Sequence, residues 1–227
     1  DTACRSGIDA APRTACTLLR VMEVWSRAGI APTPTSLDPE ISIDELAGGG
    51  EVGASSEDER RWRRLEAETR LRDAYIAAFG FVIPTPALIA RLAREPVLDV
   101  AAGSGHLARL TALAGGDVVA NDLGAHAAYY AFTTGGWHPL ECRDAAEAVR
   151  RHPGRTVLLS WPTRGEWSVR CLEAMAPGAR LVLIGEDRGG CTGDGRFFDV
   201  LEAEFELEGG EEDVVRFAGI HDRVVFA

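Results

Sequence analysis

Short apolar runs alternate with amphipathic segments from residue 97 onward, and this alternation is the main structural signal of the chain. Apolar runs of four or five residues are typical of buried strands, whereas apolar positions three and four residues apart are typical of helices. Strands that alternate with helices predict a doubly wound α/β sheet whose strands are parallel. The predicted strands are 97–101, 117–121, 140–142, 156–160 and 180–184, and the predicted helices are 87–93, 106–114, 125–133, 144–151, 166–175 and 197–204.

The C-terminal pattern differs from this alternation. Residues 205–208 and 223–227 predict two more strands, separated by a glycine-rich acidic segment, that pair antiparallel at the end of the sheet. The predicted fold is therefore a doubly wound, Rossmann-like sheet of seven strands, mostly parallel, with a terminal antiparallel strand and additional N-terminal helices.

The N-terminal part of the chain predicts helices rather than strands. One helix is predicted at 14–28, and a second begins with a Ser-x-x-Glu capping box and covers 56–79. Residues at about 30–55 are rich in Pro and Gly, which is typical of a flexible linker. We therefore expect a helical segment over 1–83, which could close over a site as a lid, and a sheet domain over 84–227.

Charge and cysteine content narrow the class of protein. The 227 residues carry a formal net charge of −11, which disfavours nucleic acid and acidic membranes as partners. No apolar run is long enough to span a membrane. The five cysteines form no C-x-x-C pair, so we expect reduced thiols in a cytoplasmic protein, with neither a disulfide framework nor a metal site.

The segment Val97–Leu107, with the sequence V-L-D-V-A-A-G-S-G-H-L, carries the strongest chemical signal. It predicts a buried strand, a glycine turn and the start of a helix, a junction whose backbone N–H groups face a bound ligand. Asp99 would repel a phosphate but would suit a ligand with a positive charge. S-adenosylmethionine (SAM) carries both an ammonium and a sulfonium group. In the alternative interpretation, Asp99 only caps the loop.

The same turn also fits the dinucleotide pattern G-x-G-x-x-A over residues 103–108. An NAD-dependent oxidoreductase is therefore an alternative class. Asp99 and the predicted antiparallel pair at the C-terminus favour SAM, because typical dinucleotide-binding domains lack that pair.

Acidic residues follow the next two predicted strands. Asp122 lies 23 positions after Asp99, where a carboxylate can accept hydrogen bonds from both hydroxyls of a ribose, although Asn-Asp is also common in turns. Asp144 can cap the following helix or accept a hydrogen bond from an adenine amino group, and the sequence favours neither role.

The later strand ends predict the substrate side of the site. Ser160 and Trp161 follow the fourth strand, where the indole ring could stack on a ligand or pack under the loop. Glu186 begins a loop with four glycines among residues 185–193, and it could bind an amine or act as a base. His138, before the third strand, is another candidate base, although a lone histidine is more often structural.

Taken together, these residues resemble the class I SAM-dependent methyltransferases. D-V-A-A-G-S-G is similar to their glycine-rich first motif, Asp122 to their ribose-binding acid, and residues 142–145 to their adenine-contacting segment. The segments W-H-P, R-H-P-G-R-T, S-W-P, I-G-E-D-R-G-G-C-T-G-D, F-F and G-I-H-D-R resemble a poorly characterised group of methyltransferase-like proteins. That group carries W-P-P-Y where this chain has Trp161-Pro162-Thr163-Arg164, so the N/D-P-P-Y pattern of amine methylation is incomplete here.

The resemblance implies a SAM-dependent methyltransferase that acts on a small molecule, for example in specialised metabolism. The alternatives are other SAM chemistry, namely aminocarboxypropyl transfer or cyclisation of SAM, and a SAM-binding protein without activity. The predicted catalytic residues are Glu186, Ser160 and His138. The predicted cofactor-binding residues are Asp99, Ala101, Gly103, Gly105, Asp122, Leu123, Asp144, Ala145, Ser160 and Trp161.

Overall fold

The computed structural model describes residues 79–124, 136–210, 214–216 and 220–227, together with Arg72, Tyr75 and Ile76. The predicted helices at 14–28 and 125–133, and the predicted linker at 30–55, lie outside the described residues. Of the helix predicted at 56–79, the four described residues, Arg72, Tyr75, Ile76 and Phe79, are helical.

Strands and helices alternate from residue 83 onward, within about two residues of the predicted bounds as far as α5. The strands are β1 (Ile83–Pro84), β2 (Val97–Val100), β3 (Val118–Asn121), β4 (Thr156–Ser160), β5 (Leu181–Gly185), β6 (Glu208–Gly210), β7 (Val214–Val215) and β8 (Arg223–Phe226). The helices are α1 (Pro86–Leu92), α2 (His106–Leu113), α3 (Ala145–Arg151), α4 (Glu166–Glu173) and α5 (Gly195–Glu204). Helix α1 begins one residue before its predicted start because Thr85 Oγ1 accepts the Leu88 N–H at 3.2 Å and Pro86 follows at the first helical position.

Six strands form the main sheet in the order β3-β2-β4-β5-β8-β6. Strands β3, β2, β4 and β5 are parallel, and β8 runs antiparallel to both β5 and β6. The order reverses at β2, which lies between β3 and β4. In sheets of this kind ligands bind outside the carboxyl ends of the strands at such a reversal.

The predicted seventh strand at 140–142 is reduced to a single parallel bridge between Glu141 and Asn121. The Glu141 N–H donates to the Ala120 carbonyl at 2.8 Å, and the Glu141 carbonyl accepts from the Asp122 N–H at 3.0 Å. Pairing stops there because the Arg143 carbonyl accepts from the Asn121 side-chain amide at 2.8 Å instead of from a strand partner. The prediction of seven strands was therefore too high for the described sheet.

The terminal antiparallel pair forms, but its first strand lies later than predicted. Residues 205–208 were predicted as a strand, whereas β6 begins at Glu208 because the Phe205 N–H still bonds the Leu201 carbonyl at the end of α5. A further pair, β1 with β7, was not predicted. It joins Ile83 to Val215 and Pro84 to Val214 in a separate two-stranded sheet.

Helices cover both faces of the main sheet. Helices α3, α4 and α5 pack on the face that presents Leu98 and Val100, whereas α1 and α2 pack on the opposite face beside Val97. Burial of each large apolar side chain contributes on the order of 1.5–3 kcal/mol, so the strand ends are held on a rigid platform. Asp99 alternates with Leu98 and Val100 along β2 and therefore lies on the α1 and α2 face.

Candidate active site

A cavity opens at the carboxyl ends of β2, β3 and β4, where the strand order reverses. Nine of the ten predicted cofactor-binding residues line it, namely Asp99, Ala101, Gly103, Asp122, Leu123, Asp144, Ala145, Ser160 and Trp161. The tenth, Gly105, does not. Of the predicted catalytic residues, Ser160 lines the cavity, whereas His138 and Glu186 do not.

The turn after β2 is held in an uncommon backbone conformation. Ala101, Gly103 and Gly105 have φ angles of 55°, 57° and 78°. The value at Ala101 is strained, since side chains with a Cβ rarely adopt it. A Cβ on Gly105 would lie 3.0 Å from both the Cβ and the backbone N of His138. Gly105 and His138 therefore shape the turn from outside the cavity.

Asp99 is the most unusual polar group of the cavity. Its side chain is 1% exposed, and among the described residues neither carboxylate oxygen has a hydrogen-bond partner. Burial, followed by the charge of Asp122, raises the pKa of Asp99 to about 7, and the nearby backbone N–H of Ala108 acts in the opposite direction. An unpaired buried carboxylate is costly, so this position suits a ligand that brings a positive charge or hydrogen-bond donors.

Asp122 ties the β2 turn to the end of β3. Its Oδ2 accepts the Gly103 N–H at 2.9 Å, and its Oδ1 accepts the Gly124 N–H at 2.6 Å. Each carboxylate oxygen can accept a second hydrogen bond, so the same side chain can still bind ribose hydroxyls. The turn role and the ribose role are therefore compatible.

Asp144 likewise has a structural role at the rim of the cavity. Its Oδ1 caps α3 by accepting the Ala146 N–H at 3.0 Å, and its Oδ2 lies 3.6 Å from Arg170. The two roles predicted from sequence, helix cap and adenine contact, are again compatible, because the capping carboxylate also lines the cavity.

The turn after β4 fixes the indole ring of Trp161. Trp161 has a φ of 51°, and its backbone N–H donates to the Ile184 carbonyl at 2.7 Å. Its Nε1–H donates to Asp222 Oδ1 at 2.8 Å, and its ring stacks on Phe81 with centroids 4.7 Å apart and planes 9° apart. Trp161 therefore packs under its loop and walls the cavity at the same time.

Glu186 lies at the end of β5, away from this cavity, and borders a smaller one with Asp187 and Arg188. Its Oε2 accepts the Cys191 N–H at 2.7 Å, and its Oε1 accepts the His221 N–H at 3.0 Å. Burial raises the pKa of Glu186, but these two N–H groups lower it more, so the net pKa lies below its usual value. A carboxylate held ionised in this way is a poor proton acceptor.

Two residues of the site escaped the sequence analysis. His106 lines the cavity at the start of α2 and is 3% exposed, and its Nε2 has no hydrogen-bond partner in the part of the chain that the structure describes. Its position directly after the glycine turn could have identified His106 as a site residue from the sequence. Asp222, 3% exposed, orients Trp161 from 61 positions away, and no pattern in the sequence links the two residues.

No protein-family model matches the chain, and no curated protein matches it in sequence. Solved structures that it resembles include an O-methyltransferase family protein from Burkholderia thailandensis, with 12% identity, a TM-score of 0.42, and coverage of 83% of this chain and 67% of that one. Human N-acetylserotonin methyltransferase in complex with SAM has 13% identity and a TM-score of 0.40, with coverage of 82% and 61%. Magnesium protoporphyrin IX methyltransferase from Synechocystis PCC 6803 with bound SAM has 17% identity and a TM-score of 0.41, with coverage of 96% and 98%.

These neighbours belong to the class of enzyme predicted from the sequence, and two of them hold the predicted cofactor. The chain spans only 61% of the length of the human enzyme. Because the identities lie below 20% and the TM-scores below 0.5, the assignment of function rests on the chemistry of the site. Within the part of the chain that the structure describes, no helix is both long and apolar enough to cross a membrane.

Proposed function

We propose that this chain is a SAM-dependent methyltransferase that acts on a small molecule, and that the cavity at the β2 turn holds SAM. The observation that carries the proposal is Asp99, a buried carboxylate without a partner beside a strained glycine turn. A ligand ammonium would supply the missing charge and hydrogen-bond donors. Phosphate ligands, by contrast, would meet a negative charge at that point.

The other lining residues fit the rest of SAM. Asp122 has carboxylate lone pairs left for the ribose hydroxyls, and Leu123, which is 53% exposed beside it, offers an apolar contact to the adenine. Asp144 and Ala145 are placed for the edge of that adenine. These assignments leave Ser160 and Trp161 for the reacting end of the cofactor and for the acceptor.

Bound SAM supplies a methyl group that is already activated by the sulfonium. The chain therefore has to hold the acceptor in line with that methyl group and to exclude water, and positioning of this kind provides much of the rate acceleration. Within the described residues the Ser160 hydroxyl has no hydrogen-bond partner, so it is available to orient an acceptor hydroxyl or amine. Trp161, fixed by Asp222 and Phe81, limits where the acceptor can lie.

Titration calorimetry with SAM and NAD side by side tests the cofactor. We expect the protein to bind SAM and not NAD, and we expect Asp99→Asn to weaken SAM binding by roughly 10- to 100-fold, since a charged hydrogen-bonded contact is lost. The matched control is Asp199→Asn, which neutralises an exposed carboxylate on α5 and should leave the affinity unchanged. Binding of NAD without binding of SAM would refute the proposal.

Product analysis then separates methyl transfer from other SAM chemistry, which the incomplete N/D-P-P-Y segment leaves as an alternative. S-adenosylhomocysteine as the product identifies methyl transfer, whereas methylthioadenosine identifies aminocarboxypropyl chemistry. Tight SAM binding without turnover of any acceptor would indicate a binding protein.

A further inference from the structure

We propose that the methyl acceptor is a planar aromatic molecule whose hydroxyl or ring N–H donates a hydrogen bond to the imidazole of His106. This inference rests on the proposed function, because it assigns the acceptor end of the same cavity. It concerns a residue that the assignment of the cofactor does not use.

Aromatic rings form part of the cavity wall. Phe79, Phe81, Trp161 and Trp167 all line it, and the Phe81 and Trp161 rings lie nearly parallel. Aromatic side chains present large flat apolar surfaces that pack well against other rings, face to face or edge to face. A flat aromatic acceptor would therefore gain more contact here than a branched or saturated molecule.

Trp161 is held so firmly that it can act as a fixed wall. Its positive φ is strained for a residue with a Cβ, and backbone strain of this kind persists only where the surrounding structure enforces it. Here the enforcement comes from the hydrogen bond to Asp222 and from the backbone bond to Ile184. A wall that does not move on binding loses little conformational entropy when the acceptor arrives.

Charged groups lie along the cavity and beside Trp161. Asp99, which we assign to the SAM ammonium, lines the cavity, and Asp122, Arg143 and Asp144 line its β3 and α3 end. The Arg72 guanidinium lies 5.8 Å from the Trp161 ring centroid, and Asp222 accepts the indole N–H at 2.8 Å. An acceptor beside this ring therefore meets both a basic and an acidic side chain.

His106 supplies a polar group beside Phe79. Its imidazole packs against Phe79 with centroids 4.7 Å apart and meets Trp137 edge-on at 5.9 Å. Nε2 is buried without a partner, and buried nitrogens of this kind are normally satisfied. Burial lowers the pKa of His106 to about 4, so the neutral ring can accept a hydrogen bond from a hydroxyl or an N–H group.

Methyl transfer from SAM to the acceptor does not require a strong base. The bond from sulfur to the methyl carbon breaks, a bond from the acceptor oxygen or nitrogen to that carbon forms, and the acceptor proton passes to solvent. S-adenosylhomocysteine and the methylated acceptor are the products. Because its pKa is so low, His106 orients the donor group and does not retain the proton.

The test measures the binding of three small probes to the full chain in the presence of saturating S-adenosylhomocysteine. Ligand-observed NMR titration gives the affinity of each probe. Phenol, toluene and cyclohexanol have similar sizes, but only phenol is both aromatic and a hydrogen-bond donor. We expect phenol to bind about tenfold more tightly than toluene, and toluene to bind more tightly than cyclohexanol. His106→Phe, which keeps an aromatic ring in the cluster, should remove the advantage of phenol while leaving toluene and SAM affinity unchanged.

The control variant is His152→Phe, which replaces an imidazole that pairs with Glu141 outside the cavity and should preserve the advantage of phenol. If His106→Phe does not fold, the ring-nitrogen NMR shift of His106 in the wild-type protein should respond to phenol and not to toluene. Equal binding of phenol and cyclohexanol, or a phenol advantage that survives in His106→Phe, overturns the inference. Weakened SAM binding in His106→Phe also overturns the inference. Failure of the wild-type protein to bind SAM refutes the proposed function instead.

Discussion

Asp99 lies where its carboxylate destabilises the ligand-free protein and favours the binding of a positively charged ligand. It is buried, unpaired and close enough to Asp122 for the two charges to repel, so its ionised form is disfavoured until a cation arrives. Groups with such perturbed titration are concentrated at functional sites. Its position after an apolar run and before a glycine turn made Asp99 predictable from the sequence, but its lack of a partner was visible only in three dimensions.

The affinity for SAM should depend on pH through this one carboxyl. Below a pKa of about 7, Asp99 holds a proton in the free protein, so affinity should fall by about tenfold per pH unit toward acid. Above about pH 8 the ligand α-amino group loses its charge, and affinity should fall again. Calorimetry from pH 5 to pH 9, roughly the window these pKa values span, checks this bell-shaped profile.

Asp99→Asn should lose the acid limb of that profile, because an amide does not titrate, whereas Asp199→Asn should retain the whole profile. An acid limb of unchanged steepness in Asp99→Asn would show that a different group controls binding.

At the scale of the elements, Glu186 joins two segments of the chain, and its role as a base, predicted from its place after β5, stays a prediction. Its two oxygens join the loop at Cys191 to the entry of β8 at His221. The sequence identified a carboxylate at a strand end but could not show that backbone N–H groups from two distant segments already occupy it.

Glu186→Ala should lower the free energy of unfolding by about 2 kcal/mol, because two backbone N–H groups in partly buried hydrogen bonds lose a charged acceptor. Because the pKa of Glu186 is lowered in the folded protein, its contribution is present above about pH 4.5 and is lost as the pH falls through the folded pKa. Urea denaturation at several pH values measures this difference.

The affinity of Glu186→Ala for SAM should match that of the wild type, and Glu204→Ala, an exposed change at the end of α5, should leave both quantities unchanged. A stable Glu186→Ala protein that no longer supports methyl transfer would restore the catalytic interpretation.

Elements formed by local patterns were predictable, and those formed by distant pairing were not. The strands β2, β4 and β5 are short apolar runs buried on both faces, so their positions follow from the sequence. The bridge at Glu141 and the pair β1 with β7 depend on partners 20 or more residues away. Such partners leave no periodic signal in either segment.

For the whole molecule, the carboxyl group of Asp99, which we assign to ligand binding, should lower the free energy of unfolding. The unfolded chain releases the Asp99 proton near its ordinary pKa of 3.8, whereas the folded chain keeps it up to about pH 7. Between these values the folded state binds more protons, so the contribution of Asp99 to stability falls as the pH rises and is lowest above pH 7.

Asp99→Asn should therefore equal the wild type in stability near pH 4 and exceed it by on the order of 4 kcal/mol at pH 8. Denaturant titrations without ligand measure this gap. The same concentration of SAM should close much of it at pH 8 by stabilising the wild type more than the weaker-binding variant, since a ligand that binds the folded state shifts the unfolding equilibrium. A constant gap at all pH values would contradict an origin in titration.

The location of the cavity was predictable at this scale, because the ends of parallel strands meet at one edge of the sheet. The position of the Trp161 indole ring, which forms part of the cavity wall, was not predictable, because it depends on a hydrogen bond to Asp222, far along the chain.

That dependence sets an order of events during synthesis. Every described residue that lines the cavity has been made once Trp167 is joined to the chain, yet Asp222 lies 61 positions after Trp161 and β8 follows it. Until then the edge of β5 has no partner on the side that β8 will cover, and unpaired strand edges are prone to aggregation. A nascent chain therefore contains the described residues of the cavity well before β8 covers the edge of β5. In that interval the chain is most prone to aggregation, and a chaperone would protect it most.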